Sequence, residues 1–450
     1  MQTELRLKER ALNLIKELRQ RIVDPGLCAR HRQREVDFTR ERRLTFSVLM
    51  LLLLRKSLKS LQSRLHEWLW QLDEERSTAN LSAGALTHAR AKLRASAFAE
   101  LNQQVLLPTV YGAEHQALIQ KWRGHRVLAV DSTVLRLPRT AAVGKVFGWE
   151  QCSNERGTQE RYPFGRASLI YDLLNEVALD ARLASSGVGE ELLAREQVGC
   201  LQANDLIISD RGYTSYCWLA AVLASGGHFL SRCSRSSFAV ARNLFQVNRT
   251  ARSWTVRVKA PKGARKACRQ KGWPMELTVR FLSVRLSTGE LEVLATSLLD
   301  ETAYTTEEFV DLYWRRWKEE TYFGRLKGRL DLEHCSGLTV DAVEQDFAAT
   351  VFLSNLESVL IGPAAAELAA HTAERKQAVK INRAVSLHAL KSQLIELLAS
   401  QVPPEEVLEE LTQYFQANPV SIRPGRQVPR QPFSAHRSYH FQRHVRKIVF

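Results

Sequence analysis

The segment from residue 313 to residue 327 reads YWRRWKEETYFGRLK and combines an aromatic hydroxyl, cations and a carboxylate at regular intervals. If the segment forms one helix, four of these side chains share an arc of about 60°: Tyr313, Arg316, Glu320 and Lys327. That arc lies beside the apolar stripe of the helix, so these groups are held at the margin of a core. Because a charge kept from water needs a partner, a metal or a ligand, the spacing indicates a binding or catalytic face.

Two aspartates each follow an apolar run that is typical of a buried strand. Asp131 follows HRVLAV, and Asp210 follows DLIIS. Strand ends are exposed at the rim of a sheet, where functional sites are commonly built. Carboxylates that converge there with Glu320 would repel one another unless cations hold them together, and Mg²⁺ prefers such sparse oxygen ligation. Two ions about 4 Å apart would support in-line displacement at a phosphodiester. A single aspartate after a strand is more often a turn residue, so the interpretation depends on the three acids together.

The sequence from residue 125 onward predicts a mixed α/β sheet that could bring these acids together. HRVLAVDSTVLRL predicts a strand that ends around Asp131, and DLIISDRGY predicts another with Asp210 at its end. Between them, RASLIYDLL and EVALDARL predict two strands, and their junction at Asn175-Glu176 favours an antiparallel hairpin. After the second aspartate, SYCWLAAVLASGG predicts a helix and HFLSRC a fifth strand.

Residues 1 to about 115 are predicted to be helical, because they are rich in Leu at helical spacing. In LSAGALTHARAKL, Ser82 is a candidate N-cap for a helix that carries Arg90, Lys92 and Arg94. This helix could be the reading helix of a helix-turn-helix or, equally, a solvated basic helix.

Three more regions follow the fifth strand. Short alternating runs predict a β-rich insertion from Ser236 to about Asp300, and one helix is predicted from Tyr304 to Leu330. Further helices are expected from Val340 to Leu360 and from Val385 to Phe415.

The chain is strongly basic, and the excess is concentrated in two stretches. Its 450 residues contain 64 Lys and Arg against 48 Asp and Glu, for a formal net charge of +16. Neither Asp nor Glu occurs from Arg211 to Met275 or after Asn418. Cations that neutralise phosphates release counterions, so these stretches favour nucleic acid as a partner. The longest apolar run, Phe46 to Leu54, is about half of what a membrane span needs. Seven cysteines without a C-x-x-C pair fit reduced thiols in a cytoplasm.

Three segments resemble the DDE transposases of insertion sequences, in the group marked by a Tyr-x2-Arg-x3-Glu-x6-Lys signature (the insertion-sequence-four family). VDSTVLRLP is similar to the first-aspartate segment of that family, ISDRGYTS to the second, and YWRRWKEETYFGRLK to the signature without a gap. Ser132 stands where members often carry Gly. The similarity extends over about residues 80 to 360. It implies an α/β fold with an RNase H-like mixed-sheet catalytic core, a β-rich insertion that interrupts this core, and helical N- and C-terminal regions.

The resemblance also implies a role for each residue of the pattern. Asp131, Asp210 and Glu320 correspond to catalytic carboxylates that ligate two Mg²⁺ ions, for which Mn²⁺ can substitute. Four further positions correspond to contacts with DNA at the transposon ends: Tyr313, Arg316, Lys327 and Arg232, the last of these in HFLSRC.

We therefore expect five regions in the chain. They are a helical DNA-binding domain (1–115), the first part of the core (116–235), the β-rich insertion (236–300), the second part of the core with the glutamate helix (301–362), and a helical region with a basic tail (363–450).

The expected activity is cut-and-paste DNA transposition, in which Mg-dependent hydrolysis at transposon ends precedes strand transfer into target DNA. One alternative is a Mg-dependent nuclease of the same fold that cuts without joining. Another is a non-catalytic DNA-binding regulator, for which the basic stretches would be enough. The expected partners are double-stranded DNA, at the terminal inverted repeats and the target, and a second copy of the chain in a synaptic homodimer. No membrane partner is expected. The expected location is the bacterial cytoplasm, at the nucleoid during the reaction.

Overall fold

The structure is a computed structural model. It describes residues 2–40, 42–57, 59–72, 81–153, 159–247, 252–285, 289–375 and 377–422. The chain divides into two compact units. The first contains the described residues of Met1–Ile119, Leu135–Gly165 and Arg325–Phe450, and the second contains those of Gln120–Val134 and Arg166–Gly324.

The α-helices, in chain order, are α1 (Gln2–Val23), α2 (Pro25–His31), α3 (Phe46–Leu54), α4 (Leu61–Leu72), α5 (Ala83–Arg90), α6 (Ser96–Leu101), α7 (Leu107–Tyr111), α8 (Ala141–Phe147), α9 (Glu190–Gln197), α10 (Tyr216–Ala224), α11 (Ala239–Val247), α12 (Lys262–Lys271), α13 (Thr306–Trp314), α14 (Trp317–Gly328), α15 (Val340–His371), α16 (Arg383–Ser392), α17 (Leu394–Ala399) and α18 (Pro404–Gln416).

The strands are β1 (Val127–Arg136), β2 (Trp149–Ser153), β3 (Gln159–Asp172), β4 (Val177–Ser185), β5 (Leu206–Ser209), β6 (His228–Arg232), β7 (Arg252–Lys259), β8 (Glu276–Arg285), β9 (Leu291–Thr296), β10 (Val379–Lys380) and β11 (Val420–Ser421).

The first unit is mainly helical and is organised around α15. This helix packs against α1, α3, α6 and α18. Within the described chain, α15 is the one helix that is long and apolar enough to cross a bilayer, but 83% of its most apolar window is buried inside the protein. Leu353, Leu356 and Leu360 on it are at most 2% exposed. A helix that is apolar and buried on all sides is the core helix of this unit.

Arg90 belongs to the core of the first unit. Ser82 caps α5 as predicted, and its Oγ accepts a hydrogen bond from the amide of Ala85. At the other end of the helix, the Arg90 guanidinium is 6% exposed and donates to Asp346 Oδ1 and Gln345 Oε1, both at 2.6 Å. Because a carboxylate neutralises this arginine inside the protein, both predictions for the basic helix are wrong at Arg90: it neither reads DNA nor faces solvent.

The second unit is built on a mixed sheet, which confirms the predicted α/β class. The strand order is β4-β3-β1-β5-β6-β9-β8-β7. β1, β5 and β6 are parallel, whereas β6 with β9, β9 with β8, and β8 with β7 are antiparallel. β3 and β4 are neighbours joined by a short turn, in which Glu176 adopts a φ of 57°. α10 connects β5 to β6 and is the crossover helix that parallel neighbouring strands require. In the first unit, β2 pairs antiparallel with the beginning of β3.

Two buried residues clamp the N-terminal ends of β1 and β5. Arg126 precedes β1, Asp205 precedes β5, and the guanidinium donates hydrogen bonds of 2.7 and 2.6 Å to the two carboxylate oxygens. The two residues are 6% and 3% exposed. The bidentate geometry fixes the relative position of the two chains where the strands begin, and so aligns the ends where they finish.

The predicted β-rich region contains β7, β8 and β9, which extend the sheet from β6. It also contains α11 and α12, which the strand-like alternation did not predict. In α12 the buried side chains are Ala264 and Cys268, and the helix ends at Gly272 with a φ of 68°. Small side chains on an otherwise charged helix produce a weak apolar pattern, which explains why the sequence did not reveal it.

Two predicted boundaries are wrong. β1 does not end around Asp131 but continues to Arg136, because β3 remains its neighbour. The single helix predicted from Tyr304 to Leu330 is two helices, α13 and α14. Between them the amides of Arg315 and Arg316 bond to carbonyls three residues earlier, at 3.0 Å each, which tightens the turn and ends the first helix. The signature residues therefore do not share one helical arc.

Candidate active site

Asp131 and Asp210 lie side by side at one edge of the sheet. β1 and β5 pair in parallel up to Val130 and Ser209, and each aspartate is the next residue along its strand. Adjacent strands are about 4.8 Å apart, so the two carboxylates emerge as neighbours. Val130, Ser209 and the strand residues before them are buried. The sequence prediction that these two acids meet at a sheet edge is consistent with this register.

A buried arginine, Arg316, lies beside Asp131 at this edge of the sheet. Its guanidinium is buried, and Nη1 lies 3.9 Å from Asp131 Oδ2. The other carboxylate oxygen of Asp131, Oδ1, accepts a hydrogen bond of 2.8 Å from the amide of Ser132. At 3.9 Å the ion pair with Arg316 is loose, because a charge-assisted N–H···O bond is about 2.8 Å long. The break between α13 and α14 falls at Arg316, so the turn places this side chain in the site.

Asp210 is held by the turn that follows β5. Its Oδ1 accepts a hydrogen bond of 2.6 Å from the amide of Gly212. The hydroxyl of Thr214 donates to the carbonyl of Asp210 at 3.2 Å and to that of Arg232 at 2.5 Å. A side chain at residue 212 would clash with Glu190 Oε1 and would lie 3.1 Å from Asp210 Oδ1. A larger residue here would therefore displace the Glu190 carboxylate.

Glu190, which the sequence analysis did not single out, joins β1 at Ser132 to the turn that follows Asp210. Its Oε2 accepts a hydrogen bond of 3.0 Å from Ser132 Oγ, and its Oε1 packs against Gly212. Arg166 donates to Ser132 Oγ at 3.2 Å and to Glu190 Oε2 at 3.5 Å. One carboxylate thus touches the residue after Asp131 and the glycine that binds Asp210. The only local signal was an acidic residue in the first turn of α9, which is common at helix N-termini.

Tyr313 contributes a buried hydroxyl. Its side chain is 5% exposed, and the hydroxyl has no hydrogen-bond partner among the residues that the structure describes. Burial raises the pKa of Tyr313 to about 12, although the positive charges of Arg316 and Arg232 oppose the shift. Asp210 contributes to the same rise. The phenol is therefore protonated at neutral pH and can donate a hydrogen bond to an oxygen of a ligand.

Arg232 lies at the end of β6 and lines a cavity of about 570 Å³ with three other arginines, Arg211, Arg235 and Arg285. Its Nη2 is 2.7 Å from Glu292 Oε1 and 3.7 Å from Glu290 Oε1. Burial raises the pKa of Glu292, and the charge of Arg232 opposes that rise. The arginine that was predicted to contact DNA is thus paired with carboxylates in the protein alone.

The last two signature residues belong to α14. Lys327 Nζ lies 3.5 Å from Glu333 Oε1 in the first unit. The backbone of Glu320 is helical, but its side chain is outside the described part of the structure. Two residues further on, Tyr322 is 1% exposed and stacks on Tyr171 of β3, with ring centres 4.2 Å apart. The glutamate helix is thereby anchored on the strand next to β1.

The donor set of this edge fits a hard divalent cation. Asp131 and Asp210 are adjacent oxygen donors. Mg²⁺ is usually held by one or two carboxylates and completes its shell with water and phosphate oxygens. Among the described side chains, no three His, Cys, Asp or Glu residues form a group that could hold a metal ion. Glu320 would be the third ligand of the predicted set.

A profile of the transposase DDE domain matches residues 122–356, which is more than half of the chain. The matched range begins just before β1 and ends within α15, so it contains both aspartates and the whole signature. The matched range also contains the nine-stranded mixed sheet. The chain belongs to the transposase DDE domain family, and it is a transposase.

Among solved structures, the chain is similar to the piggyBac transposase in a cryo-EM structure of its synaptic complex with hairpin DNA. The sequences are 12% identical and the TM-score is 0.42, with 96% of this chain and 88% of that chain covered. No curated protein matches the sequence.

Proposed function

We propose that this chain is a DNA transposase of the insertion-sequence-four type, with the Tyr-Arg-Glu-Lys signature. It cuts the DNA at the ends of its element and joins the freed 3′-hydroxyls to target DNA. The observation that carries the proposal is the register that sets Asp131 beside Asp210 at the ends of two parallel strands. Two neighbouring carboxylates repel each other, so this edge favours a divalent cation. The spacing of the signature around Glu320 supports the same assignment.

Asp131, Asp210 and Glu320 are the proposed ligands of two Mg²⁺ ions, with Mn²⁺ as a substitute. When bound, the metal would supply activation of the attacking hydroxyl and stabilisation of the leaving oxygen at a phosphodiester. The amides of Ser132 and Gly212 fix the rotamers of the two aspartates by hydrogen bonds of 2.8 and 2.6 Å. The protein therefore presents both carboxylates in defined orientations before a ligand arrives.

Tyr313, Arg316, Lys327 and Arg232 are the proposed contacts to DNA phosphates. Arg316 Nη1 lies 3.9 Å from Asp131 Oδ2, so it is suited to neutralise the phosphate at a cut end. The protonated hydroxyl of Tyr313 can donate to a phosphate oxygen. Arg232 would exchange its carboxylate partner, Glu292, for a phosphate. This exchange keeps the arginine paired in both states, and the raised pKa of the buried Glu292 favours uptake of a proton by the carboxylate that is left behind.

We assign the sheet of the second unit to an RNase H-like core that is interrupted by an insertion over residues 236–300. The order hairpin, strand, helix, strand after β1 supports this assignment. The proposed partners are the terminal inverted repeats and target DNA, bound by a homodimer in a synaptic complex. The proposed location is the bacterial cytoplasm, where such an element would act on the nucleoid.

A joining assay tests the proposal and separates it from its two rivals. The purified full-length chain is mixed with a labelled fragment that contains the DNA on both sides of its own reading frame, a target plasmid, and Mg²⁺. A transposase releases the element and transfers the label covalently into the plasmid. The Asp131→Asn variant and a chelator each abolish both products.

Other outcomes would overturn the assignment. Metal-dependent cutting without labelled plasmid would identify a nuclease that does not join. Sequence-specific retention of the fragment without any cutting, unaffected by Asp131→Asn or the chelator, would identify a DNA-binding regulator.

A further inference from the structure

The first unit contains a cavity of about 170 Å³ between α3, α4 and α16, far in sequence from the catalytic acids. Four cations line it: Arg55, Lys59, Arg64 and Lys391. The only carboxylate in its described lining is Glu67, which forms an ion pair with Lys59. The lining of this cation cavity thus carries three positive charges in excess.

Two of these cations, the buried Arg64 and the half-buried Lys391, have no opposite charge at contact distance among the described residues. Arg64 is 7% exposed, and its one described hydrogen bond is from Nη2 to the carbonyl of Leu52, at 2.9 Å. Lys391 has no hydrogen-bond or ion-pair partner in the part of the chain that the structure describes. Burial lowers the pKa of Arg64 to about 10 and that of Lys391 to about 8. The charges of Asp346 on Arg64 and of Asp331 on Lys391 oppose these shifts only in part, so a ligand that supplies negative charge at contact distance would stabilise both cations.

The neighbourhood adds further polar groups. Arg55 Nη1 bonds to the side chain of Gln71, and burial lowers the pKa of Arg55. Ser57 and His388 also line the cavity. A guanidinium has five N–H donors and an ammonium has three, so most donors around the cavity are available for an oxyanion.

We propose that the cation cavity binds a phosphate group. Its volume corresponds to about five or six water molecules, since each takes about 30 Å³ in the liquid. A tetrahedral oxyanion fits such a space. Phosphate oxygens accept charge-assisted hydrogen bonds from several donors at once, and arginine binds them bidentately. The group is either free inorganic phosphate or a phosphodiester of DNA.

This inference goes beyond the proposed function, because it needs none of the catalytic carboxylates. The probe is inorganic phosphate, titrated into the full-length chain and followed by thermal unfolding and calorimetry. The midpoint temperature of unfolding rises with phosphate concentration, as expected for a ligand that binds the folded state. Lys391→Met keeps the aliphatic stem and removes the charge. It weakens phosphate binding about 10- to 100-fold and raises the midpoint in phosphate-free buffer.

Two further variants distinguish a specific loss of phosphate binding from a loss of folding. Lys145→Met removes an exposed lysine of α8 in the same unit, and it leaves the phosphate affinity unchanged. Glu67→Gln removes the only carboxylate of the described lining and tightens phosphate binding, a gain that a misfolded protein would not show. Absence of phosphate binding by the native chain, or equal affinities of the native chain and Lys391→Met, would overturn the proposal.

Competition with a DNA duplex of about 20 base pairs distinguishes the two sources of phosphate. If the ligand is a phosphodiester, the duplex displaces inorganic phosphate and Lys391→Met weakens duplex binding. If the ligand is free phosphate, duplex and phosphate bind independently and Lys391→Met leaves duplex affinity unchanged. Both outcomes support a phosphate site, provided that the lysine variant loses phosphate binding.

Discussion

The two ends of the β1 and β5 pair carry carboxylate–guanidinium sites of opposite character. At the N-terminal end, Arg126 donates two hydrogen bonds of 2.6 to 2.7 Å to Asp205, and both residues are buried. At the C-terminal end, Arg316 approaches Asp131 only to 3.9 Å, and the Asp131 side chain is 22% exposed. The first is a bidentate pair between two buried side chains, whereas the second is a longer contact to a partly exposed carboxylate. The same residue types thus form a buried clamp at one end (the closed end) and a partly exposed site at the other (the open end).

The largest expected effect is the loss of catalysis at the open end. Asp131→Asn and Asp210→Asn keep the shape of the side chain but remove the anionic ligand, and Glu320→Gln does the same on α14. Each lowers the rate of DNA-end cleavage by roughly 10³-fold or more, since metal stabilisation of the transition state is worth several kcal/mol. The measurement is single-turnover cleavage of an end-containing fragment.

Asp311→Asn, which changes an exposed acid on α13, is the matched control and leaves the rate unchanged. DNA binding and thermal stability stay near those of the native chain in all four variants. A cleavage rate within tenfold of the native rate would remove the altered residue from the proposed site.

The closed end is expected to control stability. Asp205→Ala strands a buried guanidinium and lowers the free energy of unfolding by about 3–5 kcal/mol, measured by urea titration. Asp131→Ala costs less than about 1 kcal/mol, because its ion pair is loose and partly solvated. The double variant Arg126→Met with Asp205→Leu recovers most of the loss. Equal losses for Asp205→Ala and Asp131→Ala would contradict the distinction between the two ends.

The arginine of the open end is expected to act on DNA. Arg316→Met weakens binding to a cleaved transposon end by about tenfold and makes the slope of log affinity against log salt shallower by about 1. Fluorescence anisotropy at several salt concentrations measures both quantities. Arg315→Met, at the exposed neighbouring residue, is the control and changes neither. An unchanged salt slope for Arg316→Met would mean that this arginine pairs with Asp131 and does not contact a DNA phosphate.

The smallest effect is expected where Glu190 joins β1 to the turn that follows Asp210. In Gly212→Ala the new methyl group clashes with Glu190 Oε1, so the glutamate moves and releases Ser132. One neutral or charged hydrogen bond is worth about 1 kcal/mol, which corresponds to a cleavage rate about fivefold lower. Adding Glu190→Ala causes little further loss, because both changes break the same link.

Gly263→Ala provides the control for Gly212→Ala. A side chain there meets nothing within 4 Å, and the cleavage rate is expected to be native. Fully additive losses for Gly212→Ala and Glu190→Ala would show that the two residues act separately.

The strands and the two aspartates were accessible from the sequence because they depend on local patterns. Apolar, β-branched runs specify β1 and β5, and the register then sets Asp131 beside Asp210. The glycines that close α10 and the serine that caps α5 are likewise local signals. Local backbone geometry and short motifs specify these elements, so the sequence was enough to predict them.

The structure differs from the sequence predictions at residues whose position depends on a partner far away in the chain. Arg90 is buried because Asp346, 256 residues away, accepts its hydrogen bond. Nothing in the basic helix itself reveals that partner. Likewise, the hydroxyl that binds Glu190 belongs to Ser132, 58 residues earlier, and the helix break at Arg316 coincides with an ion pair to Asp131. Long-range polar contacts of this kind override the local helical pattern.

The most direct test of the central claim is Mn²⁺ binding to the folded chain, measured by electron paramagnetic resonance in the absence of DNA. The account predicts bound Mn²⁺ in the native chain, and affinities at least about tenfold weaker in Asp131→Asn and Asp210→Asn. The Asp311→Asn control binds Mn²⁺ like the native chain. Native Mn²⁺ affinity in both aspartate variants would contradict a metal site at this edge of the sheet.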